Sequence, residues 1–125
     1  MRLMTIASGS SGNAGYLGSE STHLLIDAGI SRRRIVQGLE VAGLKPAELS
    51  GVLLTHEHAD HVCGLKVLLK KDAIPLYATA GTLAVIKKKG LLDEYPAERI
   101  RVIRGGEAFS LGDLTVLPLS IDHDA

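Results

Sequence analysis

The stretch from Gly51 to His61 constrains this chain more than any other. Gly51-Val52-Leu53-Leu54 is a short apolar run without polar alternation, the pattern of a strand buried on both faces inside a covered sheet. Thr55-His56-Glu57-His58-Ala59-Asp60-His61 follows it directly. Five of the six positions from His56 to His61 are ionisable, a density that is costly to bury without a cation. In extended chain the side chains of His56 and His58 point to the same side, so both can reach one ion. On a helix they would diverge by more than a right angle. The motif therefore needs a strand end or a loop, and the preceding strand supplies it. Carboxyl ends of strands are where α/β sheets usually place their ligands.

Asp60 and His61, at the turn into a helix, can face a second ion beside the first. Imidazole and carboxylate together suit zinc, manganese or iron, and the absence of thiolate ligands argues against a closed structural zinc site. His123, flanked by Asp122 and Asp124, is a further candidate ligand; the same triplet would also suit an exposed polar turn. His23 lies in an apolar strand and is read as a half-exposed packing residue. Two ions about 3.5–4 Å apart lower the pKa of a shared water towards ~7 and neutralise charge on a phosphate or carbonyl oxygen. No Ser or Cys nucleophile is then required. Ser8-Gly9-Ser10-Ser11-Gly12 resembles a nucleophile elbow only superficially, because strands rather than a helix follow it.

The periodicities on either side fill in the frame. Leu3 to Ala7, Gly15 to Gly18 and Thr22 to Ile26 read as an antiparallel meander, with a Gly/Ser turn at Ser8–Asn13. Ser31 can cap a helix running to about Ala42, with Ile35, Leu39 and Ala42 on one face and Gly43 as its stop. Lys45-Pro46 begins a connector. A second helix is expected from about His61 to Lys71, burying Val62, Leu65, Leu68 and Leu69. A strand over Pro75 to Ala78, a helix over Thr79 to Lys89 and strands at Ile100–Ile103, Ala108–Leu111 and Leu114–Leu119 complete the series. Strands first, then helix and strand in alternation, indicate a mixed sheet with helices packed on it. The chain ends just after a strand, with no helix to cover the sheet there. It is therefore expected to be one domain, residues 1–125, truncated before its second half.

Composition limits the alternatives. Fourteen basic and 14 acidic residues balance, so no global charge argues for nucleic acid. Arg32-Arg33-Arg34, Lys70-Lys71 and Lys87-Lys88-Lys89 read first as solvated helix faces. Cys63 is the single cysteine, which excludes an internal disulfide and fits a reducing cytoplasm. No stretch is long enough to span a membrane, and no signal peptide is seen.

Three of these motifs together resemble the metallo-β-lactamase superfamily. Thr55–His61 looks like its signature, Leu24-Leu25-Ile26-Asp27-Ala28-Gly29 like its first motif, and His123 sits where its third-motif histidine is expected. Ala7-Ser8-Gly9-Ser10-Ser11-Gly12-Asn13, Pro75-Leu76-Tyr77-Ala78-Thr79 and Leu119–Ala125 are similar to the YycJ/WalJ-like branch, regarded as bacterial cytoplasmic DNA exonucleases or related phosphodiesterases. The resemblance covers essentially the whole chain. It implies an αββα sandwich, of which this α/β chain would be the first half: a mixed β-sheet with helices packed on one face. It implies two divalent ions, zinc or manganese, with His56, His58 and His123 on the first and Asp60 and His61 on the second. Asp60 and His61 would be catalytic, Asp60 orienting the nucleophilic water. Asp27 would orient the ligand loop by hydrogen bonds. Ser10, Ser11 and Asn13 would lie near the cleft and meet a phosphate, although a plain tight turn explains the same residues.

The superfamily's bridging aspartate and last histidine are absent from these residues. The chain alone is accordingly expected to dimerise or associate through an uncovered sheet face, or to bind metal weakly, and not to turn over. The implied substrate is DNA or another phosphodiester. Competing readings are a hydrolase of small esters, thioesters or lactones with the same metal residues, and an inactive module that binds metal or a partner.

Overall fold

The computed structural model describes residues 2–8, 12–55, 62, 64–72, 74–93 and 95–118. Six strands form one sheet in the order β1-β2-β3-β4-β5-β6: Arg2–Ala7, Ala14–Gly18, His23–Ile26, Gly51–Leu53, Leu76–Thr79 and Ile100–Ile103. The first three pair antiparallel, as the meander predicts, with a register shift between Thr5 and Ala7. From β3 to β6 the pairing is parallel. Each parallel step therefore needs a crossover, and among the described residues the helices α1 (Arg32–Val41), α2 (Leu65–Lys71) and α3 (Ala80–Lys88) lie in them.

Local chemistry sets the helix ends. Ser31 Oγ accepts from Arg34 N at 3.3 Å at the start of α1, and Thr79 Oγ1 accepts from Thr82 N at 3.3 Å at the start of α3. Gly43 (φ 77°) and Gly90 (φ 76°) follow α1 and α3 in the left-handed conformation that ends helices. The connector at Lys45 is a single 3-10 turn, Pro46–Glu48, with Lys45 N donating to Glu48 Oε1 at 2.9 Å.

Strand register sorts the side chains. Tyr16, Leu25, Val52 and Leu76 are directly opposite one another across four strands and so share a face. Ile35 and Leu39 of α1, Leu65, Leu68 and Leu69 of α2, and Leu83 and Ile86 of α3 join them in one buried cluster. These helices thus pack on that face, which makes this the mixed sheet with helices on one face that the resemblance implies. Fully burying each large aliphatic side chain contributes about 1.5–3 kcal/mol.

The opposite face carries Leu3, Leu17, Leu24, Gly51, Leu53 and Tyr77. Part of it is covered by a two-stranded antiparallel hairpin, β7 (Phe109–Leu111) and β8 (Leu114–Val116). Phe109 stacks on Tyr77 with ring centroids 5.4 Å apart. Asp113 N at the hairpin turn donates to Thr22 Oγ1 at 3.1 Å. The expected last strand is shorter than its apolar pattern: Leu117 is exposed and Pro118, which has no N–H to give a ladder, follows.

Candidate metal centre

The parallel strands β3 and β4 end side by side, and Asp27 begins the segment that leaves β3. Its φ is 64°, a conformation that aspartate tolerates better than most side chains. The residue is 5% exposed. A carboxylate so buried needs charge-assisted hydrogen bonds. It accepts from Thr55 N at 2.8 Å and from Thr55 Oγ1 at 2.6 Å, while its own N–H donates to Leu53 O at 2.8 Å. Thr55 is the residue immediately before His56. Asp27 therefore grips the exit of β4 where the histidine-rich segment begins.

The residues after Asp27 are held as closely. Gly29 N donates to Asn13 O at 2.8 Å. Gly12, buried with φ 145°, lies so near that a Cβ there would be 2.5 Å from Gly29 O. Gly64 N donates to Ala28 O at 2.7 Å, and a Cβ at position 64 would be 1.8 Å from Ile30 O. Beyond this core, Arg32 makes a two-pronged pair with Asp72 at 2.9 and 3.2 Å, tying the first turn of α1 to the end of α2. The hydrogen bonds that Arg32 donates to Asp72 hold the guanidinium above its ordinary pKa, against desolvation.

Of the residues expected at the site, Asp27 and Asn13 are described. Asp27 has its carboxylate on Thr55; Asn13 meets Gly29 through its backbone carbonyl. His56, His58, Asp60, His61, His123, Ser10 and Ser11 lie outside the described residues. Among the described residues no group of three or more His, Cys, Asp or Glu side chains gathers to hold a metal. Sequence reasoning overlooked the contacts of Thr55, Gly12 and Gly64. The signal for Thr55 was present: a buried aspartate at a strand end needs a donor, and a Thr leaving the neighbouring strand offers two. The two glycines gave none, because their role is a close approach between segments distant in sequence. His23, read as a packing residue, stacks on Tyr16 with its Nδ1 2.7 Å from the Tyr16 hydroxyl.

Comparison with known proteins adds an independent line. A family model described as a beta-lactamase superfamily domain matches residues 22–125. Exodeoxyribonuclease WalJ of Streptococcus pneumoniae serotype 2 (strain D39 / NCTC 7466) is 35% identical over 120 residues, covering 96% of this chain and 45% of that protein. Exodeoxyribonuclease YycJ of Bacillus anthracis is 34% identical over 125 residues, covering 100% of this chain and 47% of that protein. The chain thus spans about half the length of these curated relatives. Among solved structures, the Rm3 metallo-beta-lactamase aligns with a TM-score of 0.72 at 22% identity, over 90% of this chain and 46% of that one. The Zn(2+)-bound PqqB from Methylobacterium extorquens aligns with a TM-score of 0.71 at 26% identity, over 87% and 42%.

Proposed function

This chain belongs to the beta-lactamase superfamily domain family, the metallo-β-lactamases in the broad sense, and from that premise we propose that it is the N-terminal part of a metal-dependent phosphodiesterase that degrades DNA. The observation that carries the reading is the Asp27–Thr55 clamp. It fixes the residue before His56 at the carboxyl end of a buried parallel strand, the place where such sheets put their ligands. The relatives named as exodeoxyribonucleases supply the substrate class. The Rm3 metallo-beta-lactamase, at 22% identity, speaks to the fold alone and lends nothing to an ester or lactone substrate.

The residues suit a pair of divalent cations. His56, His58 and His123 offer neutral imidazoles for one and Asp60 with His61 a mixed N/O pair for the other, a donor set for zinc or manganese. When bound, such ions supply hydroxide at neutral pH and neutralise charge on the phosphate. Asp60 would also orient the attacking water through its carboxylate, and His61 would complete the ligand set of the second ion. Asp27 acts from behind, holding Thr55 and with it the entry to the ligand segment. Ser10, Ser11 and Asn13 offer hydroxyl, amide and backbone N–H donors to a substrate phosphate. The setting is the cytoplasm.

The test uses the full protein that carries this chain. Nucleotide release from DNA should depend on added zinc or manganese, and His58→Ala should lower it at least a hundredfold. Undiminished nuclease activity in that variant would remove His58 from the chemistry and the proposal with it.

A further inference from the structure

We infer that Gly64 is a positioning residue for metal binding, because the segment that carries His56 to His61 is tied down at both ends to the same four residues, Asp27–Ile30. The inference rests on the metal reading of that segment. At the near end Thr55 gives its N–H and its hydroxyl to the Asp27 carboxylate, at 2.8 and 2.6 Å. At the far end Gly64 gives its N–H to Ala28 O at 2.7 Å. Asp27–Ile30 is itself rigidly seated. Asp27 N is bonded to Leu53 O, Gly29 N to Asn13 O, and Asp27, Ala28, Gly29 and Ile30 are all buried. One short buried segment is therefore the common anvil for both ends of the histidine-bearing segment.

The far anchor admits only glycine. A Cβ at position 64 would fall 1.8 Å from Ile30 O, 3.0 Å from Ile30 C and 3.3 Å from Ala28 O. These are backbone atoms of the buried segment, so they cannot swing aside as the tip of a flexible side chain would. Any larger residue must push position 64 away from Ala28 and stretch the 2.7 Å hydrogen bond. His61 lies three residues before Gly64, and His56 directly after Thr55. Displacing either anchor moves the ligands at that end relative to those at the other. Metal ligands must converge within a few tenths of an ångström, so affinity should register the shift.

The experiment measures zinc affinity of the full protein that carries this chain by competition with a chromophoric chelator, with thermal melts of the metal-free protein recorded in parallel. Gly64→Ala should weaken zinc binding at least tenfold. Gly38→Ala is the control: its Cβ would crowd Ile6 at 2.5 Å, on helix α1 and away from the anchors. It should lower the melting temperature while leaving zinc affinity within twofold. Thr55→Val should also weaken binding, and Thr55→Ser, which keeps the hydroxyl, should restore it; this pair decides the matter if Gly64→Ala does not fold. Wild-type zinc affinity in a folded Gly64→Ala, or in Thr55→Val, would overturn the two-ended anchor while leaving the metal site standing. A wild-type full protein that takes up no zinc would overturn both.

Discussion

Asp113 stands at the turn of the β7–β8 hairpin, and its carboxylate ties the hairpin to the turn between β2 and β3. Ser19 Oγ donates to it at 2.6 Å. The hydrogen bond from Ser19, then that of Thr22, hold its pKa below the ordinary aspartate value, outweighing a small desolvation. The linkage has a definite sign. The carboxylate is more acidic in the folded chain, so its stabilisation is complete above the unfolded value of about 3.9 and fades as pH falls through the folded one. Asp113→Asn keeps an acceptor for Ser19 and the backbone donation to Thr22 but removes the charge. Its melting temperature should fall below wild type at pH 6, and the gap should close on acidification to pH 2–3. A gap independent of pH would show that the charge plays no part. Asp27 is a different case at the same scale: its need for a donor was legible and Thr55 was within the motif, but one-dimensional pattern does not say that the two strand ends lie side by side.

At the scale of elements, α1 shows how far local chemistry reaches. Its cap, apolar stripe and stop were all legible: Ser31 precedes a run with Ile35 and Leu39 a turn apart, and Gly43 closes it. Ser31→Ala removes the acceptor of Arg34 N and should cost about 1 kcal/mol, with Ser31→Asp restoring most of it. For a chain of this size that is about 4 °C in Tm, read from a thermal melt. An unchanged Tm in Ser31→Ala would mean that the Arg32–Asp72 pair alone fixes this end of the helix. Elsewhere the elements were less legible. The Leu114–Leu119 pattern promises a longer strand than the chain makes, since an apolar run does not reveal where pairing stops and Pro118 ends it. The pairing of β7 with β8 apart from the main sheet was also unreadable, because periodicity fixes which face a residue takes and not which sheet it joins.

The whole molecule is asymmetric about its sheet. Among the described residues, one face is closed by three helices, and the other is covered where the hairpin reaches, over Gly51 and Tyr77. Leu3 and Leu17 lie directly opposite each other on that second face; Leu3 is 78% exposed and Leu17 half-buried. They sit at the β1 end, and among the described residues β1 pairs with β2 alone, which makes it an edge strand of the described sheet. An apolar patch beside an open strand edge favours a second sheet surface over water. The expected outcome is self-association of the isolated chain through this face. In sedimentation velocity its mean mass should climb from monomer towards dimer as concentration rises. Leu3→Lys puts a charge on both the patch and the edge and should shift the population to monomer, leaving the Tm nearly unchanged because Leu3 is already in solvent. A wild-type chain that stays monomeric at millimolar concentration would mean that the hairpin and β2 already shield this face well enough, and that Leu3 is no more than an isolated exposed leucine.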